Sequence, residues 1–276
     1  MKEHLRQLAA QAGNDLARGG LVREYLQARI LEALQEEGLF LRWAFVGDTA
    51  LRFLYSIPRF SEDLDFSLID AGAESGIEAA MARVKRSLTF EGYPVDIKLG
   101  GRPPVASAWV RFPGLLHELG LTPHAGQALS IKIELDTNPP PGAGIETSIV
   151  RRHVTLNLCH HDRGSLLAGK LHAVLSRPWA KGRDLYDLVW YLADRSWPAP
   201  NLKLLNAALA QTGGTGSPLT QSNWRLELLK RLEMVDWKRA QADVRPFLER
   251  AQDIDLVTPE ALRAVVQRGT PGPGEP

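Results

Sequence analysis

The sequence predicts an α+β fold, with a mixed sheet and flanking helices over residues 1–160 and an α-helical half over residues 161–268. Three observations predict it. Short apolar runs bounded by Gly and Pro alternate with helically spaced segments in the first part. Within it, Ser130–Asp136 alternates strictly: Ile131, Ile133 and Leu135 share one face, and Lys132, Glu134 and Asp136 the other, as in a strand buried on one side. After Asp162 the apolar spacing becomes helical throughout.

The elements follow in order. Leu21–Glu37 has an amphipathic helical pattern that stops at Gly38. Trp43–Val46 is a short buried strand. Asp48–Tyr55 is helical, with Leu51, Leu54 and Tyr55 on one side, and Pro58 bars its continuation. Leu64–Ile69 reads as a strand and Glu78–Phe90 as a helix. Pro94–Leu99, Val105–Phe112 and Leu129–Asp136 read as strands, the last broken by Asn138-Pro139-Pro140-Pro141-Gly142. Ile145–Leu158 fits either a strand pair or one long strand. Leu166–Leu175, Arg183–Ala193, Leu202–Gln211 and Trp224 to about Val244 are helical, with a break or kink near Pro246. Thr212–Pro218 is a loop, and the Gly- and Pro-rich residues 269–276 are expected to be a disordered tail.

With 276 residues the chain can bury one large core or two modest ones. A formal net charge of +1 gives no global pull toward nucleic acid or membrane. Cys159 is the only cysteine, which excludes an internal disulfide and fits a reducing compartment. Met1–Arg6 lacks an apolar signal core, and no apolar run reaches membrane-spanning length. The expectation is a cytoplasmic protein with no membrane partner.

The chemistry concentrates in Phe45-Val46-Gly47-Asp48-Thr49 and Arg59-Phe60-Ser61-Glu62-Asp63-Leu64-Asp65-Phe66. Asp63 and Asp65, two apart on a strand, project on one face. Paired carboxylates stay ionised beside a divalent cation with hard-oxygen preference. The turn at Gly47 opens a helix whose free N–H groups favour an anion. Together these suggest a nucleoside triphosphate handled with Mg²⁺. An isolated Asp-x-Asp is more often a solvated strand end, and the upstream glycine turn is what weighs against that here. An aspartate-nucleophile phosphohydrolase fits poorly, because its pair ends a strongly apolar first strand. A third carboxylate is expected from the next acidic strand: Glu134, central in its run, is favoured over Asp136, and Asp96 is weaker.

Lys170 lies on a helix with Leu167, Leu171 and Val174 as its core side, and as a point charge it suits a triphosphate. Arg183, Asp184 and Asp187 open the following helix. Asp184 could simply cap it, and Asp187, four residues on from Arg183, could simply pair with that arginine. Cys159, His160 and His161 do not make a zinc pattern, and Ser165 has no His–Asp partner signature. Trp190 and Tyr191 read as packing residues between the halves. Arg151-Arg152-His153 and Lys181 with Arg183 are local basic runs, whereas Lys230, Arg231, Lys238 and Arg239 lie among acids as a solvated face.

Four stretches, Phe45–Leu54, Arg59–Phe66, Ser130–Pro140 and Ala168–Leu192 with its Lys-Gly-Arg-Asp-Leu-Tyr-Asp core, together resemble the AbiEii/AbiGii-type nucleotidyltransferase toxins. These are the toxin half of type IV toxin–antitoxin (abortive infection) systems, within the DNA polymerase β-like nucleotidyltransferase superfamily. The resemblance implies a nucleotidyltransferase-like sheet and a metal, Mg²⁺ or Mn²⁺, at Asp63, Asp65 and Glu134. It implies NTP contacts from Gly47, Asp48, Thr49, Lys170, Arg183 and Asp184, with Asp187 completing the catalytic set. It further implies transfer of NMP to an acceptor, a tRNA 3′ end or a protein hydroxyl, that blocks translation and growth, and an antitoxin encoded nearby. Such families usually carry Gly or Ser where this chain has Asp48. A carboxylate there would repel the phosphates unless it faces away, caps the helix or binds a cation. The alternative is an inactive nucleotide- or RNA-binding, or antitoxin-interacting, protein of the same fold.

Overall fold

The computed structural model describes residues 2–13, 15–214 and 216–268. The expected tail at 269–276 lies outside the described residues. The chain forms two compact units: residues up to Pro139 with Ile145–His160, and Pro140–Gly144 with the residues from His161 onward.

The first unit is built on a seven-stranded sheet. Its elements are α1 (Lys2–Gln11), α2 (Asp15–Glu36), β1 (Trp43–Val46), α3 (Gly47–Tyr55), β2 (Leu64–Leu68), α4 (Ile77–Phe90), β3 (Asp96–Arg102), β4 (Val105–Phe112), α5 (Leu115–Glu118), β5 (Leu129–Asp136), β6 (Ile145–Arg152) and β7 (Val154–His161). The strand order is β3-β4-β5-β2-β1-β7-β6. β1 runs antiparallel to β2 and parallel to β7, and β2 runs parallel to β5, so the sheet is mixed. The Ile145–Leu158 segment resolves as a strand pair turning at His153, whose φ is 63°. The sheet's apolar face carries Phe66, Ala108, Val110, Ile131, Ile133 and Leu135, all buried. Phe45 stacks on Phe66 at 5.3 Å between ring centroids, and Trp43 lies 5.4 Å from Phe66. Burying each such side chain is worth about 1.5–3 kcal/mol. The central strands therefore carry much of this unit's core, and they also carry Asp65 and Glu134.

A buried polar cluster ties α2, α3 and the β6–β7 turn together. Glu24 accepts from Arg52 Nε at 2.5 Å and Arg152 Nε at 2.9 Å, and His153 Nε2 lies 2.8 Å from it. Burial alone would raise the Glu24 carboxyl, but the His153 hydrogen bond and the two arginines overcome it and hold the group at about 2, against an ordinary 4.5. A depressed carboxylate stabilises the fold fully above its unfolded value and progressively less as pH falls through its folded value. Stability is therefore expected to fall between pH 4.5 and 2. Urea midpoints across that range should show a shallower fall for Glu24→Gln than for the wild type.

The second unit is helical: α6 (Arg163–Ser176), α7 (Gly182–Ala193), α8 (Leu202–Gln211), α9 (Trp224–Leu232), α10 (Trp237–Val244) and α11 (Pro259–Gln267). Side-chain caps set four of the starts: Asp162 accepts from Ser165 N, Asn201 from Leu204 N, Asp236 from Arg239 N and Thr258 from Ala261 N. The Asp236 cap corrects the expected continuous helix Trp224–Val244. The chain stops at Leu232 and restarts at Trp237, because an aspartate bonded to the backbone opens a new helix instead of continuing one. Pro246 falls in the short 3₁₀ turn Arg245–Phe247 that follows α10. The residues after the proline run dock on this unit: Gly144 N donates to Ser165 Oγ at 2.9 Å, and Asn201 Nδ2 donates to Gly142 O at 2.8 Å. Ser165 is thereby occupied as a buried structural hydroxyl. Trp190 and Tyr191 cluster with Trp197, at 5.0 and 4.2 Å between ring centroids.

Candidate active site

In the sheet unit the Gly47 turn meets Asp65 where β1 ends beside β2. The antiparallel register sets Val46 opposite Asp65, so the chain turns at Gly47 directly against that carboxylate. Gly47 has φ 76°, and a Cβ on it would lie 2.5 Å from Asp65 Oδ2. Left-handed backbone and missing space both require glycine here. Gly47→Ala is expected to displace the Asp65 carboxylate and to cut any activity depending on it by roughly a hundredfold or more, since misplacement by about 1 Å costs that much. Steady-state rates beside a melting curve would separate this from simple unfolding.

Asp65 in turn lies opposite Glu134 across the parallel β2–β5 pair, and Glu134 opposite Ser107 on β4. Residues paired this way share a face, so the fold brings Asp65 and Glu134 side by side. Asp63 immediately precedes β2, and its backbone carbonyl accepts from Thr49 Oγ1, which also lies 2.8 Å from Ser61 Oγ. The Thr49 side chain is fully buried, and through that bond it ties the start of α3 to the Asp63 loop. Lys132 Nζ holds Glu134 at 2.7 Å. Asp136 pairs in register with Ser67 and accepts from Asn138 N at 2.9 Å, as a turn-forming aspartate. Burial pushes the Asp136 carboxyl up. Asp96 lies on β3, opposite Arg111 and two strands from β5.

Two arginines around this site have no role in the sequence reading. Arg59 is fully buried, and its guanidinium lies 3.1 Å from the Asp48 carboxylate at the start of α3. The departure at Asp48 is thus matched by a built-in cation. Arg23, on α2, donates to Ser130 O at 2.5 Å. Burial lowers its pKa against the opposing pull of Glu62 and Asp63, which places a positive charge among the site's acids. Only burial, which a single sequence does not display, singles out either arginine.

In the helical unit the lysine and both acids of the second candidate set come together. Lys170 Nζ lies 3.0 Å from Asp184 and 2.7 Å from Asp187, with Asp187 fully buried, and Arg177 lies 2.5 Å from Asp184. Asp184 is an ion-pair partner as well as a first-turn acid. Asp187 meets Lys170, and Arg183 lies over the Phe247 ring at 4.3 Å. Gly182 lets α7 approach α10: a Cβ there would lie 1.8 Å from Ala240 O.

The family model for the nucleotidyl transferase AbiEii toxin of type IV toxin–antitoxin systems matches residues 29–268. Solved structures share the fold. MenT4, a nucleotidyltransferase toxin of Mycobacterium tuberculosis, is 17% identical, with 97% of this chain and 89% of that chain covered and a TM-score of 0.54. JHP933 of Helicobacter pylori is 18% identical, with 90% of each chain covered and a TM-score of 0.54. A further H. pylori protein, with a provisional nucleotidyltransferase assignment, is 18% identical over 90% of this chain and 93% of that chain, at a TM-score of 0.55. No curated protein matches the chain significantly.

Proposed function

The chain belongs to the AbiEii nucleotidyl transferase toxin family of type IV toxin–antitoxin systems, and from that premise we propose that it transfers NMP from an NTP, with Mg²⁺, to the 3′ end of tRNA. Membership makes it a nucleotidyltransferase with a nucleotide as substrate and an antitoxin as counterpart. The tRNA acceptor, the arrest of translation and growth, the abortive-infection role and a cytoplasmic site of action are our reading. Among the described residues no helix is long and apolar enough to cross a membrane.

One observation carries the assignment of the chemistry: the register that sets Asp65 beside Glu134, with the Gly47 turn seated on Asp65. The donor set of Asp63, Asp65 and Glu134 consists of carboxylate oxygens, which suit Mg²⁺. Bound there, the metal would neutralise phosphate charge and orient the α-phosphorus. The Gly47–Asp48–Thr49 turn presents the N-terminus of α3 to the phosphates, and Arg59 cancels the Asp48 charge that would oppose them. The acceptor hydroxyl oxygen bonds to the α-phosphorus, and its proton passes to a carboxylate, which we assign as Glu134. The bond from the α-phosphorus to the bridging oxygen breaks, and pyrophosphate leaves with the electron pair. Lys170 is the cation assigned to the triphosphate; phosphate reaches it in competition with Asp184 and Asp187. Asp187 and Asp184 hold that lysine, and Arg183 supports the same helix start.

The test is label transfer: purified protein, Mg²⁺, each α-labelled NTP in turn, and total tRNA or cell lysate. Label on tRNA, lost with a chelator, supports the reading. Label confined to a protein band would replace the acceptor, and no label from any NTP would overturn the activity.

A further inference from the structure

The polar face of the sheet continues past the carboxylates. Along the Asp65–Glu134 row lie Ser107 and Gly100. Two residues along each strand, on the same face, the next row is Lys132, Trp109 and Lys98. The row after that is Ser130, Arg111 and Asp96. The opposite face of these strands holds the buried Ala108, Val110, Ile131 and Ile133, so Trp109 is no part of the core. Trp109 is 39% exposed. Lys132 Nζ lies 5.6 Å from the ring centroid while also holding Glu134, and Lys98 and Arg111 are exposed beside it. By ordinary sheet spacing Trp109 is roughly 12 Å from Asp65, two strands across and two residues along.

We propose that Lys98, Trp109, Lys132 and Arg111 form the acceptor subsite, which seats the single-stranded 3′-hydroxyl end of a nucleic acid. This rests on the nucleotidyl-transfer reading with its nucleic-acid acceptor and assigns the residues of the sheet face that would seat that acceptor. A base one or two nucleotides from the end stacks on Trp109, and Lys98 and Arg111 meet the backbone phosphates. The terminal hydroxyl then lies toward Asp65 and Glu134. An open aromatic ring flanked by cations suits a polyanion whose every unit carries a π face. Ser107, Gly100 and Ser130 around the ring are small and leave room above it. A peptide acceptor would find neither an apolar groove nor acidic complementarity on this row.

The experiment uses the full-length protein and a 5′-fluorescein-labelled single-stranded oligoribonucleotide with a free 3′ hydroxyl, followed by anisotropy. The matching oligodeoxynucleotide serves as a second probe and shows whether the 2′ hydroxyl is read. Trp109→Ala is expected to weaken oligoribonucleotide binding about tenfold or more and to raise its KM in label transfer, with NTP affinity unchanged. Trp109→Phe, which keeps a ring, should retain most of the binding. Lys98→Glu should weaken it and flatten its salt dependence. Oligonucleotide affinity and acceptor KM unchanged in a folded Trp109→Ala protein would overturn the subsite and leave the transferase reading standing. Wild-type label appearing on protein alone would do the same. Absence of transfer to every acceptor would instead remove the reading beneath it, and the proposal with it.

Discussion

Asp65→Ala is expected to lower nucleotidyl transfer by about a thousandfold while leaving the fold intact. Its carboxylate is seated against the Gly47 turn, and Glu134 lies opposite it on the neighbouring strand β5. Removing a ligand that holds a charge-neutralising cation forfeits several kcal/mol of transition-state stabilisation, and each 1.36 kcal/mol is about tenfold in rate. The side chain is only part-buried, so the apolar face of β2, with Leu64, Phe66 and Leu68, stays packed. Single-turnover transfer beside a melting curve checks this. Wild-type rates from the variant would remove Asp65 from the chemistry.

Lys170→Met is expected to destabilise the helical unit by about 3–5 kcal/mol, because breaking a buried ion pair leaves charge behind without its counterion. The lysine side chain is 7% exposed and the Asp187 side chain 0%. Arg177 still lies beside Asp184, and the fully buried Asp187 loses its 2.7 Å ion pair with Lys170. Urea unfolding followed by helical circular dichroism measures it, and a shift below about 0.5 kcal/mol would show that the cluster is not carried by this lysine. Adding Asp187→Asn to Lys170→Met should recover part of the loss, since the stranded charge is then gone. The same residues are assigned to substrate, so activity alone would not separate the two roles; stability does.

Much of the sheet unit could be read directly from residue pattern. The strict alternation of Ser130–Asp136 marked β5, the apolar run Trp43–Val46 marked β1, and Pro58 marked the end of α3. These signals are local, and local backbone periodicity is what a single sequence displays. Asp65 and Glu134 were candidates for the same reason, but their adjacency required the β2–β5 pairing, which no local pattern encodes. The Glu24 cluster was invisible, because its partners lie 28 and 128 residues away. Arg59 lies four residues before Asp63 in sequence, yet its burial and its grip on Asp48 emerge only in three dimensions. Helix α1 carries a weak apolar signal, with Leu5 and Ala9 as its buried apolar side chains among the described residues. The restart at Trp237 hid inside an unbroken helical spacing, where only the capping habit of Asp236 signalled it.

The central claim is that the Asp63, Asp65 and Glu134 carboxylates hold the metal that accompanies the triphosphate. Mn²⁺ binding, followed by electron paramagnetic resonance in the presence of a non-hydrolysable NTP analogue, tests it most directly. The wild type is expected to bind the ion tightly and Asp65→Ala to lose that binding while remaining folded. Equal binding by both proteins would contradict the assignment.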